Sequence, residues 1–152
     1  MTERSLLEAI THPEDLRKLP LDQLPELACQ IREELLDVVS NRGGHLASNL
    51  GVVELTVALL RALDLDNDSV VWDTGHQGYV FKMLTGRRDL LHSLRQDDGC
   101  CGFLHRDESV HDVFGAGHAG TAISAGLGLA AARDRSGKAG KVVAVVGDGA
   151  LG

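Results

Sequence analysis

Aromatic residues are scarce in this sequence, at 3% of 152 residues, whereas glycine occurs 18 times. A chain so rich in glycine suits close approach of the backbone to a ligand better than it suits a large aromatic core. Cysteine is also rare, and the odd count of three, with Cys100 and Cys101 adjacent, argues against a disulfide framework. This cysteine usage is typical of a reducing compartment, so the predicted location is cytoplasmic.

Positive charge is in deficit as well, since the formal net charge is −7 at pH 7. Nucleic acids and anionic membrane surfaces both favour basic patches, so the sequence predicts neither as a partner. No apolar run reaches the length of a membrane span, and the first residues carry acids where a signal peptide carries basic residues. With 43% hydrophobic and 24% charged residues, the chain is long enough for one globular domain with a sizeable core.

Hydrophobic spacing along the chain predicts helices that alternate with short strands. Helices are predicted over 21–40, 49–65, 76–86, 87–96 and 119–137, and strands over 69–72 and 141–146. This order indicates an α/β fold with a parallel sheet flanked by helices. Ligands of such folds lie at the carboxyl ends of the strands, where the sequence has WDTGHQG and VVGDGA.

The last six residues, GDGALG, match the pattern G-x-G-x-x-G. The pattern alone fits a dinucleotide fingerprint or a plain glycine turn after a strand equally well. Asp148 favours a third interpretation, because a bare carboxylate would repel a pyrophosphate unless a divalent cation lay between them. Mg²⁺ takes one or two carboxylates together with diphosphate oxygens. Asp148 is therefore a candidate metal ligand between two glycines that keep side chains away.

Three of the seven histidines, His45, His76 and His118, follow a glycine in a predicted loop. A lone histidine is more often a surface or core residue than a functional one, but loops carry many functional residues. The stretch FGAGHAGTAIS around His118 leads into a predicted helix, whose free N–H groups could bind an anion. A simple glycine-rich entry to the helix is an equally good interpretation. Zinc is disfavoured because the cysteines and histidines lack regular ligand spacing.

The order of the motifs closely resembles that of the 1-deoxy-D-xylulose-5-phosphate synthases, thiamine-diphosphate enzymes of the transketolase superfamily. The resemblance covers nearly the whole chain and rests on RGGHLASNLG, VVWDTGHQGYVFKMLTGRRD, DVFGAGHAGTAISAGLGLAAARD and VVAVVGDGAL. It implies the thiamine-diphosphate-binding fold, with thiamine diphosphate and Mg²⁺ as cofactors. It also implies that pyruvate and glyceraldehyde 3-phosphate condense with loss of CO₂, in a homodimeric enzyme that feeds isoprenoid, thiamine and pyridoxal synthesis.

The resemblance also implies roles for individual residues. His45 corresponds to a catalytic histidine that assists proton transfer, with Ser48 and Asn49 shaping its loop, and Asp148 corresponds to the Mg²⁺ ligand. The implied cofactor-binding residues are His76, Gly117, His118, Ala119, Gly149 and Ala150. The chain departs from the family at Ala119-Gly120, where serines are usual, and in the loop of Cys100 and Cys101.

Residues 1–152 correspond to a partial diphosphate-binding domain, without the pyrimidine-binding and C-terminal domains of the family. We therefore expect the isolated chain to lack activity. Two other hypotheses for the function of the chain stay open. It could be a truncated, non-catalytic remnant or binding module, or a nicotinamide dinucleotide-binding domain. The second is disfavoured by Asp148 and by the late position of the glycine motif.

Overall fold

A computed structural model of the chain describes residues 5–115 and 117–151. These residues form two compact units. The first unit contains residues 5–62 and 79–102, and the second contains residues 63–78 and 103–151. Within the described ranges, no helix combines the length and the apolar character needed to cross a membrane.

The first unit is helical. Its elements are α1 (Leu6–Ala9), α2 (Pro13–Lys18), a 3₁₀ turn (Leu21–Gln23), α3 (Leu24–Arg42), α4 (Leu46–Leu50), α5 (Val53–Ala62), α6 (Tyr79–Lys82), a kinked segment (Met83–Arg87) and α7 (Arg88–Leu91). Helix α3 confirms the predicted helix, because its buried residues recur every three or four positions: Leu27, Ala28, Ile31, Leu35 and Val38. It ends where Gly43 adopts a φ of +74°, a conformation that favours glycine.

The helix predicted over 49–65 is divided in the structure. The chain bends at Gly51, so α4 and α5 are separate helices. Helix α5 buries one face, formed by Val53, Thr56, Val57 and Leu60, and leaves Leu55 44% exposed. Although apolar residues lie nearly all round this helix, only one face of it is buried. The helix predicted from 76 begins later, at Tyr79, because the preceding residues form a loop.

The second unit contains the sheet. Strands β1 (Ser69–Trp72) and β2 (Val142–Val145) pair in parallel, with Ser69 opposite Val142 and Trp72 opposite Val145. Helix α8 (Ala122–Arg135) packs on both strands, and a 3₁₀ turn (Asp148–Ala150) follows β2. The strand positions and their parallel pairing confirm the α/β prediction.

Helix α8 approaches the sheet closely at Gly126. A Cβ atom at Gly126 would lie 3.7 Å from the Ala144 Cβ and 3.8 Å from the Val142 Cγ1, so the backbone of α8 comes nearly into contact with β2. The many small residues of this helix permit such an approach. This close contact holds α8 beside the sheet.

Candidate functional site

The carboxyl ends of β1 and β2 lie at the same edge of the sheet. Trp72 is paired with Val145, and the Asp73 N–H donates to the Val145 carbonyl at 2.8 Å. The loop that contains His76 and the turn that contains Asp148 therefore leave the sheet from one edge. Both motifs thus follow strand ends at one edge of the sheet, the edge at which parallel α/β sheets bind ligands.

Asp73, which the sequence analysis did not single out, lies at the start of α8. The side chain is 3% exposed, and its carboxylate accepts backbone N–H bonds from Gly120 (3.0 Å), Thr121 (2.9 Å) and Ala122 (3.0 Å). The carboxylate takes up N–H groups that a helix start otherwise leaves unpaired. The prediction that this helix start offers free N–H groups to an anion is therefore wrong for these three residues.

The charge of Asp73 is stabilised by its surroundings. Burial alone would raise its pKa, but the N–H bonds from Ala122, Gly120 and Thr121, together with the charge of His76, hold the pKa below its usual range. Asp73 is therefore an anion at neutral pH, placed at the positive end of the α8 dipole. It attaches residues 120–122 to the carboxyl end of β1.

The GHAG stretch before α8 is open. His118 and Ala119 are exposed, and the His118 carbonyl accepts a bond from the Thr121 hydroxyl at 3.1 Å. Gly117 has a φ of +139°, and a Cβ added there or at Gly120 would meet no described atom within 4 Å. The backbone of this stretch is therefore accessible to a ligand, and its end is fixed by Asp73.

Asp148 lies in the turn after β2, which is accessible to a ligand in the same way as the GHAG stretch. The Asp148 side chain is exposed, and its Oδ1 accepts the N–H of Gly149 at 2.9 Å. A Cβ at Gly147 or Gly149 would also meet no atom of the described residues within 4 Å. Within 5–115 and 117–151, no three histidine, cysteine or acidic side chains come together as a ready metal site. Asp148 thus presents a single exposed carboxylate at this end of β2.

The GHQG loop after β1 is tightly packed. Thr74 and Gly75 both have positive φ values, +61° and +78°, and a Cβ at Gly78 would lie 2.8 Å from the Leu104 Cγ. The buried Gln77 donates from Nε2 to the Asp73 carbonyl at 3.0 Å. A β-branched residue such as Thr74 is strained at positive φ, and such strain is concentrated at functional sites. His76 is half-buried within this fixed loop.

His45 lies in the first unit, whereas the other predicted site residues lie in the second. It immediately precedes α4, and its Nδ1 lies 3.2 Å from the Tyr79 Oη. The buried Asn49 donates from Nδ2 to the His45 carbonyl at 2.6 Å and accepts the Tyr79 N–H on Oδ1 at 2.8 Å. The resemblance implied that Asn49 shapes this loop. Nothing in the sequence indicated that Tyr79 contacts His45, apart from its position in the GHQGY motif.

The unusual Cys100–Cys101 loop is joined to Lys82 within the first unit. The Lys82 Nζ donates to the Cys101 carbonyl at 2.7 Å and lies 3.4 Å from the Cys100 Sγ. Both Lys82 and Cys100 are buried. The carbonyl bond belongs to the backbone, so it does not depend on which side chain stands at position 101.

Comparison with known proteins gives one consistent match. A family model described as 1-deoxy-D-xylulose-5-phosphate synthase matches residues 7–152. A curated relative of that name from Dehalococcoides mccartyi is 58% identical over 146 residues, which are 96% of this chain and 23% of the relative. A Prochlorococcus marinus relative is 60% identical over 145 residues, 95% of this chain and 23% of its own length. A Geobacter sulfurreducens relative, synthase 1, is 58% identical over 147 residues, with shares of 97% and 23%. The chain thus spans about a quarter of the length of these relatives.

Proposed function

Because the chain belongs to the 1-deoxy-D-xylulose-5-phosphate synthase family, we propose that it carries part of the active site of such an enzyme. The reaction condenses pyruvate with glyceraldehyde 3-phosphate and releases CO₂. Its product serves isoprenoid, thiamine and pyridoxal synthesis. The proposal includes thiamine diphosphate and Mg²⁺ as cofactors, a thiamine-diphosphate-binding fold, a homodimeric enzyme and a cytoplasmic location.

The observation that carries this proposal is the exposed Asp148 carboxylate at the carboxyl end of β2, between two open glycines. Mg²⁺ is usually held in proteins by one or two carboxylates together with substrate or cofactor phosphates. A single carboxylate with free space on both sides fits that requirement. Asp148 would hold the metal, while Gly149 and Ala150 would lie against the diphosphate through their backbone.

The GHAG stretch fits the other side of a diphosphate. Gly117, His118 and Ala119 lie before the N–H groups that Asp73 occupies, so their own backbone remains accessible. The usual serine hydroxyls are absent at Ala119 and Gly120, which leaves backbone contacts as the proposed mode of binding. His76 would contribute a polar contact from the packed loop after β1.

Thiamine diphosphate, when bound, supplies the thiazolium carbon that stabilises a carbanion. The residues of this chain would position the cofactor and move protons. In this proposal His45 acts in proton transfer to a substrate oxygen. A nicotinamide-binding domain is less well supported, because the Asp148 carboxylate would repel a pyrophosphate that lacks a metal.

A chimaera tests the proposal. The 146-residue segment of the Dehalococcoides enzyme that matches this chain is replaced by the chain, and product formation is measured with both cofactors. We expect activity, and we expect Asp148→Asn to weaken Mg²⁺-dependent activity by at least about tenfold, because loss of even an outer-shell partner of a metal ligand typically costs about 10–100-fold. Asp66→Asn, which changes an exposed aspartate of the same unit, is the matched control and should be neutral.

Two results would count against the proposal. A chimaera that folds, as judged by circular dichroism, but forms no product would favour a non-catalytic remnant. An active chimaera in which Asp148→Asn leaves the Mg²⁺ dependence unchanged would remove Asp148 from the metal site.

A further inference from the structure

We propose that Tyr79 is a positioning residue for His45. Its hydroxyl donates to Nδ1 of the imidazole, and the proton of the neutral ring therefore stays on Nε2. The tautomer follows from contacts within the first unit alone. Its use in proton transfer rests on the role proposed above for His45.

The Tyr79 hydroxyl meets His45 at two atoms. The backbone N–H of His45 donates to Oη at 3.3 Å, and Nδ1 of the His45 ring lies 3.2 Å from the same oxygen. The two rings are tilted by 52°, with centroids 6.3 Å apart, so the contact runs through the hydroxyl rather than through stacking. Tyr79 itself is 0% exposed.

These contacts select one tautomer. A backbone N–H can only donate, so Oη is the acceptor in that bond and keeps its own proton for another partner. Among the residues that the structure describes, Nδ1 is the one atom within reach that can accept this proton. If Nδ1 carried a proton, a buried hydroxyl would lose its acceptor, at a cost of about 1–3 kcal/mol. The neutral ring is therefore protonated on Nε2.

The phenol is suited to this role because it stays protonated. Burial raises the pKa of Tyr79, and the nearby His45 N–H and Arg95 charge offset this only in part. The hydroxyl can thus donate throughout the neutral range. If the ring becomes an imidazolium, Nδ1–H can donate to Oη after the hydroxyl rotates, so the contact is compatible with both states of His45.

The surroundings fix the geometry of the pair. Asn49 is 0% exposed, and its amide joins the His45 carbonyl to the Tyr79 N–H. Because one partner is an acceptor and the other a donor, the orientation of this amide is determined. A Cβ at Gly44 would lie 2.8 Å from the Tyr79 Oη, so the residue before His45 has to be glycine for the hydroxyl to reach the ring.

The consequence is chemical. A neutral imidazole with its proton on Nε2 offers a hydrogen-bond donor at that atom and cannot accept there. His45 would then donate to a carbonyl or alkoxide oxygen of the substrates, rather than remove a proton with Nε2 in its neutral state.

Nitrogen NMR of the ¹⁵N-histidine-labelled chain tests the tautomer. His45→Gln identifies the His45 signals among those of the seven histidines. Above the titration of the ring, we expect one tautomer, with Nε2 protonated and with Nδ1 shifted as a hydrogen-bonded acceptor. In Tyr79→Phe, the Nδ1 signal should move towards that of a free acceptor and the Nδ1–H form should become populated. Thr56→Val, which removes another buried hydroxyl from the unit, should leave both nitrogens unchanged.

A second labelling keeps the test decisive if Tyr79→Phe folds poorly. Tyr79 is the one tyrosine of the chain, so 3-fluorotyrosine labels this site alone. The fluorinated phenol is a stronger donor and should move the Nδ1 signal in the direction opposite to Tyr79→Phe. A wild-type ring protonated on Nδ1, or an Nδ1 signal that responds to neither change, would overturn the proposal.

The catalytic consequence is measured separately, in the chimaera. Tyr79→Phe should lower kcat about tenfold, which is less than the roughly 10²–10⁴-fold contribution of a general acid or base itself because the phenol acts through His45, while KM changes little. An unchanged kcat alongside a changed tautomer would refute the catalytic use of the pair. An inactive chimaera alongside the expected NMR response would support the tautomer and reject the proposed function instead.

Discussion

The Asp73 carboxylate accepts the backbone N–H of Ala122, the first residue of α8, at 3.0 Å, and so caps a helix that begins 49 positions later in the chain. The same carboxylate binds two further N–H groups just before the helix. A strand end and a helix start are thereby joined by one buried anion. This connection fixes the start of α8 beside the proposed cofactor loop.

Removing the charge of Asp73 should destabilise the second unit. Asp73→Asn keeps the shape of the side chain but replaces one acceptor oxygen by a donor that faces backbone N–H groups. Hydrogen bonds to charged groups contribute about 1.5–3 kcal/mol each, and an amide that keeps its oxygen towards Thr121 and Ala122 loses the bond from Gly120, so we expect a loss of at least about 1.5–3 kcal/mol in the free energy of unfolding. Urea denaturation measures this loss. Asp66→Asn, at an exposed position, should change it by less than about 0.5 kcal/mol; equal effects would mean that the cap contributes nothing.

The Asp73 cap should also make the free energy of unfolding depend on pH in the acid range. The pKa of Asp73 is lower in the folded state than the ordinary value of 3.8. Its contribution is therefore present above pH 3.8 and decreases as the pH falls below that value towards the folded pKa. The difference in unfolding free energy between wild type and Asp73→Asn should accordingly be constant from pH 5 to 7 and shrink below pH 4. A difference that grows in acid would have the wrong sign for this assignment.

The buried phenol of Tyr79 should make the free energy of unfolding depend on pH in the alkaline range. Burial raises its pKa above 10.0, so the neutral phenol stabilises the fold below pH 10 and that contribution is lost as the pH rises through the folded pKa. Because the chain has a single tyrosine, the absorbance of tyrosinate reports this group directly. We expect a midpoint above 10 in the folded chain and an ordinary value in urea. Equal midpoints in the two states would show that the phenol is not buried.

The elements with a strong periodic pattern were predictable from the sequence. Helix α3 and strand β1 lie where the apolar residues placed them: α3 has one buried face along its length, and the last three residues of β1 are buried in succession. Helix α4 was missed as a separate element because the break at Gly51 leaves the apolar pattern uninterrupted. The short helices α1 and α2 lack a full repeat from which a period could be read.

The site was predictable only where motifs carried it. GDG and GHQ indicated Asp148 and His76, whose loops leave the same edge of the sheet. Asp73 and Tyr79 went unnoticed because their partners are distant in sequence: Asp73 binds residues 47–49 positions away, and Tyr79 binds His45 34 positions away. Contacts of this kind follow from the fold and leave no local pattern in the chain.

Gly126 tests the close approach of α8 to the sheet. A methyl group there would make ordinary contacts at 3.7–3.8 Å with Ala144 and Val142, so Gly126→Ala should raise the free energy of unfolding by about 0.5–1 kcal/mol through helix propensity. Gly126→Leu should instead lower it by about 1–3 kcal/mol through overpacking. Gly128→Leu, where the same helix faces open space, is the control and should not be destabilising. Thermal unfolding distinguishes these outcomes, and similar effects of leucine at both positions would rule out the close approach.

Gly44 and Gly117 form a matched pair that separates backbone strain from steric contact. Their φ values are nearly equal, +134° and +139°, so alanine should suffer a similar backbone strain of about 1–3 kcal/mol at either position. At Gly117 the added methyl group would meet no atom of the residues that the structure describes within 4 Å, whereas at Gly44 it would lie 2.8 Å from the Tyr79 Oη and 3.1 Å from the Leu94 Cδ2. We therefore expect Gly44→Ala to lower the free energy of unfolding by about 1–3 kcal/mol more than Gly117→Ala does.

Combining Gly44→Ala with Tyr79→Phe should recover part of this excess, because the hydroxyl that the methyl group would contact is absent. Urea denaturation of Gly44→Ala, Gly117→Ala, Tyr79→Phe and the double variant measures both effects. An excess that survives removal of the hydroxyl would assign the conflict to Leu94 instead.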